Sequence, residues 1–79
     1  MERANEVTVV LHSDRHADPE VHVFAEQSKA IIWAAERLKE FDRFNDAEVQ
    51  PDVAKRAGWL FFGTYGESGS IRVEAKVIR

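Results

Sequence analysis

Apolar and polar positions alternate from Glu6 to His12, with Val7, Val9 and Leu11 on one face. The run is β-branched and reads as a strand. Ser13 to Pro19 is polar and carries a proline, so it reads as a loop. A second alternating run follows, with Val21, Val23 and Ala25 on one face. Two such runs joined by a loop of this length predict an antiparallel hairpin.

The period then lengthens. Ser28 suits an N-cap, and Lys29 to Phe41 is rich in helix formers. At about 100° per residue, Ala30, Ile31, Ala34, Ala35, Leu38 and Phe41 fall on one arc with Ile32 at its margin. Asp42 lies inside that arc, which predicts a helix over about 28–42 whose stripe covers one face of a sheet. Asn45 to Gln50 reads as polar linker. A short helix over about 51–57 follows: Pro51 fits its first position, Gly58 its stop, and Asp52, Lys55 and Arg56 complement the helix dipole.

Trp59 to Tyr65 is an apolar, aromatic third strand, and Gly66 to Ser70 a turn. The last strand places Ile71, Val73, Ala75 and Val77 inward and Arg72, Glu74 and Lys76 outward. The prediction is an α+β fold in a single domain, 1–79. It has a ββαββ layout: a four-stranded antiparallel sheet, the long helix on one face, and the short helix at 51–57.

Composition narrows the setting. A chain of 79 residues buries a small core. It has no cysteine, so disulfides cannot reinforce it, and the reducing cytoplasm is the expected compartment. The start shows no basic region followed by an apolar run, so no signal peptide is expected. No apolar stretch approaches the roughly 20 residues that span a bilayer, so no membrane is expected. Net charge is −3, which offers nucleic acid no general attraction. The charge is unevenly spread: ten acidic against five basic residues from Asp14 to Asp52, and five basic against two acidic from Val53 to Arg79.

Three constellations bear on chemistry. His12, His16 and His22 lie within eleven residues, with Asp14 and Asp18 between them. A hairpin centred near Ala17 sets His12 opposite His22, away from Val9 and Val23, and cross-strand imidazoles can share a metal. The spacing matches no zinc signature and there is no thiolate; polar residues on an exposed sheet face are the expected reading, and no metal or other cofactor is expected. Gly63, Gly66 and Gly69 sit in and after a strand rather than opening a helix, so they read as hairpin glycines rather than a phosphate cradle. Ser13 lies beside His12 and Asp14, but neighbours on a strand point to opposite faces. The expectation is a protein that is not an enzyme.

The aromatics point to binding. Trp33 falls opposite the Ile31/Leu38 stripe, between Arg37 and Glu40. On the third strand, Trp59, Phe61 and Tyr65 share one face and Leu60 and Phe62 the other. One long helix covers a single face, so the short helix, a second subunit or a partner must cover the rest. The expected partner-binding surface is Trp33, Arg37 and Glu40 with the acidic residues Asp42, Asp46 and Glu48: an anchor, a cation lying along it, and acids that steer a basic partner. A homodimer at high micromolar concentration is a further expectation. Direct nucleic-acid binding is disfavoured because no RNP-type motif is present and the acids repel phosphate.

The layout resembles that of small phage-encoded anti-CRISPR proteins of the strand-strand-helix-strand-strand kind that act on type I systems. The pattern that carries it is Thr8-Val9-Val10, leading through a proline-bearing loop to Glu20-Val21-His22-Val23. It also resembles partner-binding antitoxin domains of the HicB kind, without their usual DNA-binding extension. The resemblance implies a mobile-element inhibitor that binds a basic surface of a nucleic-acid-handling complex such as a CRISPR effector, without catalysis. The alternative is a small nucleic-acid-associated or HicB-like antitoxin domain acting through Lys55, Arg56, Arg72 and Lys76.

Overall fold

Seven elements form in chain order: β1 (Glu6–Asp14), β2 (Ala17–Phe24), α1 (Gln27–Asn45), β3 (Glu48–Val49), α2 (Pro51–Ala57), β4 (Phe61–Tyr65) and β5 (Gly69–Val77). The structure, a computed structural model, describes residues 6–14, 17–66 and 68–77, without the side chains of 17 and 42–45. The fold is α+β. All strand pairs are antiparallel, in the order β2-β1-β5-β4-β3. The sheet therefore has five strands rather than four. The added one, Glu48–Val49, comes from the stretch read as polar linker; two residues are too few to show alternation.

Element bounds shift for local reasons. The helix runs Gln27–Asn45 rather than 28–42, and Glu26, not Ser28, is its N-cap residue. At the other end Asp46 turns left-handed, with φ 46°, which aspartate tolerates better than most residues. Gly58 closes α2 at φ 81°, its N–H meeting the carbonyls of Ala54 and Lys55. The short helix 51–57 is thus as expected. Asp14 pairs with Ala17, so much of the expected loop belongs to the strands.

The core lies between α1 and the sheet. Ala30, Ala34 and Leu38 are buried at successive turns over Val10, Phe61, Tyr65, Ile71 and Val73. Two small residues let the helix axis come close, and Leu38 fills the wider end. A Cβ at Gly63 would lie 2.5 Å from Leu38 Cδ2, so that glycine gives the leucine its room. A Cβ at Gly69 would strike the Tyr65 ring.

Face assignment on β1 is the opposite of what the valines imply. Thr8, Val10 and His12 are buried beneath α1, while Val7, Val9 and Leu11 look away from it. Val10 pairs with Val73 and His12 with Ile71, so the clean alternation of β5 sets the phase of β1. On β5 itself Ile71 and Val73 are buried as expected. Ala75 and Val77 share their face but are exposed, because they lie beyond the reach of the helix.

Leu38 is 4% exposed, and Leu38→Ala is expected to cost about 2–4 kcal/mol in urea denaturation. Glu36→Ala, on the exposed arc, is expected to cost less than about 0.5 kcal/mol. Equal shifts would show that the helix packs through another face.

Candidate interaction surface

The six residues expected to form one surface are divided between two edges of the sheet. Trp33 does not point into solvent. It packs against β2, with ring centroids 4.5 Å from His22 and 6.2 Å from Phe24. The Arg37 guanidinium lies over the same indole at 5.3 Å and reaches Glu20 Oε1 at 3.2 Å. Glu40 is exposed on α1, and the Asp42 side chain falls outside the described residues. Asp46 is the exposed left-handed residue that ends α1. Glu48 is exposed on β3, at the opposite edge from β2 and about 19 Å away at ordinary strand spacing. Trp33 and Arg37 therefore act together at the β2 edge, and Glu48 stands apart from them.

Beside this edge lies a polar network that sequence reasoning missed. His12 pairs with Glu20 across the hairpin, and Val10 with His22, so the two histidines share a face but are diagonal rather than opposite. The face is the helix side, not an exposed one: His12 is 7% exposed. Its Nε2 lies 2.6 Å from the Tyr65 hydroxyl, which donates to Asp14 Oδ2 at 2.9 Å. That hydroxyl has a single proton, so His12 donates through Nε2–H and its Nδ1 is unprotonated. Nδ1 is buried without a hydrogen bond, 3.9 Å from Glu20 Oε1. Glu20 is held by His22 at 3.1 Å and by Arg37. Phe41 stacks on Tyr65 at 4.2 Å and meets His12 edge-on.

These surroundings set the proton affinities. Burial, then the Arg37 guanidinium, holds the His12 imidazole below its ordinary 6.5, against the pull of Glu20 and Asp14. Burial and the bond to Asp14 push Tyr65 up to about 12. The bond from His22, aided by Arg37, keeps Glu20 ionised below the usual carboxylate range. The network joins β1, β2, β4 and α1 at one end of the sheet. Among the described residues no cluster could hold a metal ion, and His16 lies outside that set.

The other sheet face has no helix over it. Register puts Val9 beside Val23 and Leu11 beside Val21, in an apolar strip that ends at the β2 edge. Val21 and Val23 are 59% and 63% exposed. Next to the strip runs the β5 ladder, where Glu74 binds Arg72 at 2.6 Å and Lys76 at 3.0 Å. Trp59 belongs to this face and not to that of Phe61 and Tyr65, because β4 begins only at Phe61. The indole packs on Phe62 at 5.1 Å under the Arg72 guanidinium at 4.9 Å.

No protein-family model matches the chain, and no curated protein or solved structure matches it. The site is therefore argued from its geometry. A usable signal was present in β2, where Val21 and Val23 alternate with His22 and Phe24, so that both faces of the strand seek contacts.

Trp33→Ala is expected to lower stability by about 3 kcal/mol, because it removes the lid from His22 and Phe24; a melt unchanged by the substitution would place the indole in solvent. Tyr65→Phe leaves the His12 donor and the Asp14 acceptor without each other's bridge, at a cost of about 1–3 kcal/mol. Because His12 binds its proton less tightly when folded, the unfolded chain holds more protons in the window just below pH 6.5. Its contribution to stability is complete above pH 6.5 and is lost as pH falls through that window. Melts at about pH 7.5 and 5.5 are expected to show this drop. In His12→Gln the drop is expected to shrink, whatever the baseline stability.

Proposed function

We propose that the chain is a non-enzymatic protein-binding module that docks through edge strand β2. The observation that carries this reading is the exposure of Val21 and Val23, at 59% and 63%, on a strand at the margin of the sheet. Apolar side chains on an unpaired edge are costly in water and invite an added strand or a covering surface. From Glu20 to Phe24 the edge carries no lysine, arginine or proline that would discourage pairing. A strand laid along it would place alternate side chains on the valine strip and on the Trp33–His22 side.

Two further features favour binding over catalysis. The Tyr65 hydroxyl is spent between His12 and Asp14 and is not free to attack a substrate. The cavity beside it, lined by His12, Asp14, Glu20, Arg37 and Tyr65, has about 130 Å³, below the roughly 300 Å³ at which small-molecule sites begin. Arg72 and Lys76 share Glu74, which leaves that ladder a net charge of only +1 and weakens the nucleic-acid reading. In the setting implied by the anti-CRISPR resemblance, the partner is a subunit of a nucleic-acid-handling complex, and the module inhibits by occupying its surface. Exposed Glu40, Asp46 and Glu48 would steer a basic partner.

The test is the pair Val21→Lys and Val23→Lys. Both positions are already exposed, so stability is expected to change by less than about 0.5 kcal/mol per site. Affinity capture with the wild-type chain, identification of the bound protein and reconstitution from pure components are expected to give a complex that the double variant fails to form. The same variant is expected to remove self-association measured by light scattering at high micromolar concentration. A reconstituted complex indifferent to both lysines would overturn docking through β2.

A further inference from the structure

Three groups from three elements converge on one carboxylate oxygen. Glu20 Oε1 lies 3.1 Å from His22 Nε2 on its own strand, 3.2 Å from Arg37 Nη2 on α1 and 3.9 Å from His12 Nδ1 on β1. The first two are hydrogen bonds. The third is not, although His12 and Glu20 are directly opposed across the hairpin, where side chains are nearest neighbours. Nδ1 is buried and bare, since the ring proton is on Nε2 and goes to Tyr65. A lone pair therefore faces a carboxylate, and the two stand apart.

Glu20 also decides where Arg37 lies. Its two oxygens hold Arg37 Nη2 at 3.2 and 3.4 Å. That guanidinium covers the Trp33 indole, which packs on His22 and Phe24. Glu20, Arg37 and Trp33 thus form a clasp from β2 to α1. The clasp leaves Arg37 Nε buried without a hydrogen bond, a donor that water satisfies once the guanidinium swings out.

A proton on His12 Nδ1 reverses these relations. Nδ1 becomes a donor opposite Oε1, and the imidazolium repels the guanidinium. Both lone pairs of Oε1 are already in use, so a third donor displaces one of the two present. Arg37 is the one displaced: it carries the same charge as the imidazolium and reaches in from another element, whereas His22 is two residues away on the same strand. Among the described residues, the titratable groups around His12 are Asp14 on β1, Asp18, Glu20 and His22 on β2, Arg37 on α1 and Tyr65 on β4. β5 sets Ile71 beside it and turns Arg72, the partner of Leu11, to the other face. Burial, then Arg37, outweighs Glu20 and Asp14, so the proton arrives only below pH 6.5. Glu20 is kept below the usual carboxylate range by the bond from His22 and then by Arg37, and stays ionised in that window.

We propose that this clasp is pH-sensitive: proton uptake at His12 Nδ1 turns Glu20 from Arg37 to His12 and lets Arg37 and the Trp33 indole leave β2. Its regulatory consequence, weaker docking in acid, rests on the reading of β2 as the docking edge; the clasp itself does not.

The test is an NMR titration of the full chain from about pH 8 to about pH 5, across the histidine range. His12 Nδ1 is expected to be bare at the basic end and to take its proton below pH 6.5. The Trp33 indole N–H signal is expected to shift with the same midpoint. The Trp59 indole, which carries Arg72 in the same way, is expected to stay in place. The Trp33 shift is expected to vanish in His12→Gln and to persist in His22→Gln. In Glu20→Gln the indole is expected to stand in its acid position at the basic end already. A Trp33 indole that ignores the His12 midpoint, that follows His22 instead, or that still shifts in His12→Gln would overturn the proposal. The wild-type imidazole and indole signals decide by themselves if that variant fails to fold. Val21→Lys/Val23→Lys keeps every member of the clasp and is expected to titrate as wild type, so loss of docking at β2 and loss of the clasp are read separately.

Discussion

One helix has to cover five strands. With side chains, α1 is about 10 Å wide, whereas neighbouring strands are about 4.8 Å apart. It can lie fully over the middle of the sheet only. Ala30, Ala34 and Leu38 do so, above β5, β4 and β1, and every completely buried apolar side chain belongs to that footprint. The outer strands need other means. β3 shrinks to two residues, and α2 stands beside β4 in place of a longer strand. β2 is held by what α1 can extend sideways, which is Trp33 and Arg37. The indole that looked like a spare anchor is thus part of how a narrow helix retains a wide sheet.

The same geometry explains a buried polar network in so small a protein. Near the β1–β2 turn the helix is ending, and an apolar core there would stay half open to water. His12, Tyr65 and Asp14 use directional bonds where packing alone is incomplete, with Phe41 closing the top. The arrangement costs His12 its normal proton affinity, because the imidazole is buried and Arg37 stands near. Gly69 belongs to the same device. Any side chain there would displace the Tyr65 ring on which both bonds depend.

What could be read from the sequence follows from how unambiguous each pattern is. β5 alternates without exception, and α2 is bracketed by Pro51 and Gly58, so both emerged where the chain places them. The stripe of α1 was legible for the same reason. β1 was not, because every position from Val7 to Leu11 is apolar or β-branched and either face could be the inner one; the decision is made by β5, far away in sequence. Trp33 was misplaced because a helical wheel shows which residues lie opposite the stripe, but not how far the sheet extends beneath it. The intended surface dissolved for a topological reason. Strand order puts β2 and β3 at opposite margins, and no local pattern encodes strand order.

Strand order also sorts the charge. The excess of acid between Asp14 and Asp52 supplies Glu20 at one margin and Glu48 at the other, while the later basic residues reach solvent near α2 and along β5. At β2 Glu20 binds His22 and Arg37, and Val21 and Val23 stand exposed on the other face of the strand. At α2 charges of both signs are exposed, Asp52 one turn before Lys55 and Arg56, beside an apolar groove. The two margins therefore favour different contacts. β2 offers backbone and valine. The α2 groove offers an apolar recess of about 360 Å³. Phe61 serves twice, in the core beneath α1 and in the lining of the α2 groove.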